Sequence, residues 1–217
     1  MAQPDLDRLL ILNLADLDAA AQRVDDELSA SVADTLNKHL EALIQRTDWA
    51  GVAKWPLAQS FWFAPKDWRK LGDNPREEYA CQFLMVASLG KGPAKDRFWL
   101  TQLVGKGDRN LGLAWIRSGV GKPQWRRAVA QRGEEIAKLR SRGFEYEATE
   151  GSFFLPVHID QSTLAQGFFD ESLEIALKPL ADALQVCVEA KPDFDALIAA
   201  TGGVAGAAAV AGGSAVS

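Results

Sequence analysis

Between Leu17 and Leu43 the chain repeats apolar residues at steps of three or four: Leu17, Ala21, Val24, Leu28, Val32, Leu36, Leu40 and Leu43. This is the α-helical repeat, and it puts these side chains in one stripe on a helix of about thirty residues, about 45 Å long. Asp25, Asp26, Asp34 and Glu41 occupy the other face. A rod this long either brackets a sheet or pairs with a second chain. Bracketing is the favoured reading, because covering a core is the usual task of an amphipathic helix.

Residues 47–51 read as the end of that helix, and the composition then turns toward strands. Segments 60–64, 79–89, 97–104 and 111–118 are rich in aromatic and β-branched residues, with Gly, Pro, Asp and Asn between them. The short Gly-containing loops 90–96 and 105–110 predict that the last three are antiparallel neighbours. Pro123 suits a first helical turn, and Trp125, Val129, Ile136 and Leu139 give that helix an apolar side before Gly143 stops it. Segments 144–148 and 153–159 read as two more strands. Helical spacing returns over 162–190, where Pro179 either kinks the helix or begins a new one, and a short helix follows Pro192. The expected fold is α+β: a mainly antiparallel sheet of five to six strands, bracketed by the long N-terminal helix and by C-terminal helices. Residues 1–198 are expected to form one domain. Residues 199–217, almost entirely Ala, Gly and Val, read as a loose tail.

With 47% apolar and 24% charged residues the chain has the make-up of a folded protein. Asp5 and Asp7 stand where an export signal would be basic, and the uncharged stretch after Asp195 is too weakly apolar for a membrane span. Cys81 and Cys187 lie far apart in apolar surroundings, as reduced core cysteines do. These features predict a soluble, cytoplasmic protein. Its net charge of −5 is unevenly spread: residues 1–50 carry −6, residues 51–147 carry +8 and residues 148–217 carry −7. An anionic partner would therefore meet the middle.

No recognisable catalytic motif is present. The only histidines, His39 and His158, stand in no metal pattern, and Gly-x-Ser-x-Gly is absent. His158 and Asp160 share a strand face as an acid–base pair would, but a histidine beside a helix cap is the better reading. Glu145 with Glu147, and Asp67, Asp73, Glu77 and Glu78, read as solvated charges rather than cation ligands. The element order is similar to that of PD-(D/E)xK nucleases, yet the third predicted strand, Phe98-Trp99-Leu100-Thr101-Gln102-Leu103-Val104, lacks the Mg²⁺ ligands, so membership is not assigned. No catalytic residue, metal ligand or cofactor is assigned.

One constellation stands out. If 79–89, 97–104 and 111–118 are consecutive antiparallel strands, loop 90–96 meets segment 119–122. Lys91, Lys95 and Arg97 then face Arg117, Lys122, Arg126 and Arg127 at the N-terminus of the helix beginning near Pro123. Backbone N–H groups there attract an anion, and Trp125 offers a ring to stack on a base. Trp49, Trp55 and Trp68 lie in or near loops, where exposure would mark a protein interface, and Trp99 and Trp115 are expected on neighbouring strands. The leading functional reading is a non-enzymatic binding or regulatory protein, acting on a protein partner or by self-association through the long helix. The alternative is a nucleic-acid or phosphate-ligand protein, nuclease-like at most, using the basic edge.

Overall fold

The computed structural model describes residues 3–56, 60–69, 79–87, 95–117 and 122–200. Its centre is a six-stranded, wholly antiparallel sheet in the order β1-β2-β3-β4-β6-β5, built from β1 (Trp49–Ala53), β2 (Phe61–Pro65), β3 (Cys81–Ala87), β4 (Leu111–Arg117), β5 (Glu145–Glu147) and β6 (Ser152–Pro156). Helices occupy the N-terminal region and the C-terminus, so the α+β class holds.

Two of the strand expectations change. β1 begins within 47–51, which reads in the sequence as the end of the long helix with Gly51 as punctuation. In the sheet Gly51 permits close approach instead: a Cβ there would stand 2.5 Å from the Trp62 carbonyl oxygen of β2 and 2.8 Å from Ile44. Segment 97–104, expected as a strand, forms the short helix α4 (Trp99–Leu103). A brief apolar run is compatible with either state, and here bonds from the following loop and from Ile159 decide. The Thr101 carbonyl accepts from the N–H groups of Lys106 and Gly107 at 2.8 and 2.9 Å, and the Ile159 N–H donates to the Leu103 carbonyl at 3.0 Å. With 97–104 out of the sheet, β3 pairs directly with β4, from Cys81 opposite Arg117 to Ala87 opposite Leu111. Trp99 consequently packs edge-on against Trp55, at 5.5 Å between centroids, and is not a strand neighbour of Trp115.

The N-terminal rod is also subdivided. It comprises α1 (Gln3–Leu12), a break at Asn13, α2 (Leu14–Arg23), a π turn at Val24–Leu28 and α3 (Ser29–Arg46). The π turn has a reason in the spacing. From Val24 to Leu40 the apolar residues recur strictly every four, and on an α-helix each such step drifts by about 40°. A π turn takes more residues per turn and absorbs the drift of the first step, so Val24 and Leu28 stay half-buried on the side that α3 continues with buried Val32, Leu36, Leu40 and Leu43.

Downstream, the helix expected after Pro123 is two, α5 (Lys122–Ala130) and α6 (Gly133–Ser141). α7 (Gln161–Phe169) and α8 (Leu173–Ala176) follow β6, and Pro179 begins α9 (Lys178–Glu189). The last helix, α10 (Lys191–Ala200), closes the core. Its fully buried Phe194 stacks on Trp115 at 4.6 Å and meets Phe83, Phe144 and Phe153 edge-on at 5.2–5.6 Å. Beside it Lys191 bonds Asp67 and Asp195 at 2.7 and 2.8 Å, while the Trp68 indole N–H donates to Asp195 at 2.6 Å. Trp49 and Trp68 are thus core residues, not surface anchors, and Cys81 and Cys187 are buried thiols. The tail from residue 201 lies outside the described residues, as do Asp73, Glu77 and Glu78.

Candidate interaction surface

The direct pairing of β3 with β4 disperses the anion constellation. The connection from β3 to β4 leaves and re-enters the sheet at one end, beside Ala87 and Leu111, whereas β4 exits toward α5 at the other end, beside Arg117. A seven-residue strand, about 20 Å long, lies between the two ends. Lys95 and Arg97 belong to the first end. The Lys95 N–H donates to Asp108, and Arg97 pairs with Asp25 of the π turn at 3.4 Å. Lys91 lies outside the described residues.

Arg117, Trp125, Arg126 and Arg127 do gather at the second end, where Lys122 begins α5, but not as a stacking platform. Trp125 is 1% exposed, and its indole N–H donates to the Gly151 carbonyl at 2.7 Å. Arg117 lies over that ring, 5.7 Å from its centroid, and burial pulls its guanidinium below the ordinary value. Arg126 and Arg127 are exposed and rim an open groove between α5, α6 and β5. Its floor is apolar, with Ala130, Ile136 and Tyr146. Arg140 stands 5.9 Å over the Tyr146 ring. Burial pushes the Tyr146 phenol above its usual range, against the opposing pull of Arg126 and Arg140.

The other candidates resolve as structure. Asp160 caps α7, accepting from the Thr163 N–H at 2.8 Å and from the hydroxyls of Ser162 and Thr163, and these bonds hold its carboxyl down at about 2. His158 packs against Gly105, where a Cβ would stand 2.5 Å from its Nδ1. Glu147 accepts from the Thr149 N–H and hydroxyl. Among the described residues no three His, Cys, Asp or Glu side chains group as a metal site would require, and no helix is long and apolar enough to cross a membrane.

Comparison with protein families, curated proteins and solved structures returns no match. The site must therefore be read from geometry.

The N-terminal arm, α1 and α2, extends the stripe that begins at Leu17, and its upstream half, Leu6 to Leu14, is what sequence reasoning missed. Leu6, Leu9, Leu10, Ile11, Leu12, Leu14 and Leu17 are 42–70% exposed. The apolar stripe enters the domain gradually through Ala21, Val24 and Leu28, and only from Ser29 and Val32 does it become buried. Upstream the same stripe runs bare. The signal lies in the sequence, because Leu6 to Leu14 is among the most apolar stretches of the chain. Residues 3–28 carry seven acidic and two basic side chains, so the arm is both apolar and acidic. Two further large apolar residues, Phe169 and Ile175, are exposed where α7 gives way to α8.

Proposed function

We propose that this is a non-enzymatic binding protein whose N-terminal helical arm docks onto a protein partner. The supporting observation is the cluster of seven exposed large apolar side chains on α1 and α2, of which Leu10, Leu14 and Leu17 extend the spacing of the stripe that the domain buries from Ser29 onward. Scattered apolar residues are ordinary on a surface, but seven large ones within twelve residues are a mark of an interaction site. Helices of ten residues are also marginal in water by themselves, so arm helicity gains from a covering partner. Helix-in-groove recognition uses this kind of face, with apolar anchors three and four residues apart. Leu10, Leu14 and Leu17 have that spacing.

The test is site-specific photo-crosslinking in cells, with the reactive side chain at Leu14 or Leu17 and a control at exposed Glu41 on α3. The expected result is an identified protein adduct at the arm positions alone, lost when Leu10 is changed to Glu. Equal or absent crosslinking at all three positions would overturn the proposal.

A further inference from the structure

The arm and the groove on α5, α6 and β5 are complementary in shape class and in charge. The arm offers Leu10, Leu14 and Leu17 flanked by Asp5, Asp7, Asp16 and Asp18. The groove offers an apolar floor of Ala130, Ile136 and Tyr146 beneath exposed Arg126 and Arg127, with Arg140 above the tyrosine. Arg126, Arg127 and Arg140 are the basic side chains at the groove, whereas Arg132 and Arg142 of the same stretch pair with Glu135 and with Glu189 and Asp193. Glu145 and Glu147 alternate with Tyr146 on β5, and Glu147, whose carboxylate accepts from Thr149, is near enough to act on the tyrosine against the arginines.

A chain does not satisfy this match by itself. Tyr146 aligns with Phe153, and Phe153 with Trp115, which places the groove at the Arg117 end of β4. The arm departs from the other end, where Asp25 pairs with Arg97, and it is exposed along its length. We infer that the groove receives the arm of a second copy of this chain, head to tail. The inference rests on the arm being a docking element, and it names the occupant. Arm-to-arm pairing is disfavoured because it would set two strongly acidic helices side by side, and like charges facing each other across an interface oppose association. A head-to-tail contact is heterologous: every open assembly keeps one unused arm at one end and one unused groove at the other, so association continues until a ring closes.

Such a contact is tested by complementation with the full-length chain in sedimentation velocity. The parent is expected to associate progressively with concentration, and less so in high salt. The arm variant Leu10→Glu with Leu14→Glu, and the groove variant Arg126→Glu with Arg127→Glu, should each be monomeric, with self-affinity reduced at least about tenfold. Circular dichroism should show both folded, since all four positions are exposed. Mixed together, the two variants should form a one-to-one heterodimer and nothing larger, because the arm variant keeps a working groove and the groove variant a working arm.

Undiminished self-association of the groove variant would overturn the inference in favour of an arm-to-arm seam or of the Phe169 and Ile175 patch. A parent that stays monomeric to about 1 mM would also overturn it. In that case an arm crosslink to a different identified protein leaves the proposed function standing, and absence of any crosslink removes both. Binding of a phosphate-rich oligonucleotide at Arg126 and Arg127 without self-association would assign the groove to nucleic acid instead.

Discussion

At the residue scale, several polar side chains that look chemical in the sequence are occupied in holding the chain in place. Asp160 shares a strand-like spacing with His158, yet its carboxylate is taken up by Ser162 and Thr163 at the start of α7. Asp160→Ala should lower Tm by about 2–4 °C at neutral pH, measured by calorimetry. Its carboxyl sits at about 2, below the value near 3.9 of an unfolded chain, so the contribution is complete above pH 4 and fades as pH falls toward 2. The Tm gap between Asp160→Ala and the parent should therefore narrow over that window. His39 acts at a different pH. Its Nε2 is buried with no hydrogen-bond partner, and burial lowers its pKa against the opposing pull of Glu174. The unfolded chain then binds a proton that the folded chain resists, so stability should fall as pH drops below about 6.5. Urea titrations at pH 7.5 and 5.5 should show a drop in the parent that is smaller in His39→Gln, and an equal drop in both would refute the assignment.

At the scale of elements, the long helix shows how one sequence pattern serves two purposes. Leu36, on α3, is completely buried, and Leu36→Ala should cost about 2–5 kcal/mol in chemical denaturation. Leu14 belongs to the same helical pattern one element earlier, and Leu14→Ala should change stability by less than about 0.5 kcal/mol. Comparable losses at both positions would mean that the domain covers the arm. The periodicity from Leu17 to Leu43 was legible as a helix, but periodicity reports only that a face is apolar, not what lies against it. That is why bracketing and docking looked like alternatives when α3 does the first and α2 is free for the second. The strands 61–65, 81–87, 111–117, 145–147 and 152–156 were likewise legible from their aromatic and β-branched residues. β1 and α4 were not: a glycine required by the Trp62 carbonyl imitates a turn, and a five-residue helix fixed by Ile159 imitates a strand. Because the basic constellation depended on a third strand at 97–104, that local error displaced Lys95 and Arg97 to the wrong end of the sheet. The groove at Arg126, Arg127 and Tyr146 needs β5 brought beside α5, a long-range pairing that spacing along the chain does not encode.

At the scale of the whole molecule, one contiguous core joins α3, the sheet and α10, and the arm stands outside it. Stability should be distributed accordingly, because amides open with a free energy that reflects how much packing must be undone. β3 and β4 pair over all seven of their residues and pack beneath Phe194, so their amides should exchange only on global unfolding. The helices of the arm are ten residues each, interrupted at Asn13, with no buried residue in α2. In a dilute solution of the monomeric groove variant, residues 4–20 should exchange by local fraying, far faster than Cys81–Ala87 and Leu111–Arg117. Destabilising the core should accelerate the strands while leaving the arm unchanged. Phe194→Ala, which removes the ring in contact with Trp115, Phe83, Phe144 and Phe153, serves that purpose at a cost of about 3–5 kcal/mol. At concentrations where the parent associates, the arm should gain protection and the strands should not, because contact covers the arm without altering the core. Arm protection equal to that of the strands in the dilute monomer would show instead that the domain itself covers α1 and α2, and would remove the physical basis for a docking arm.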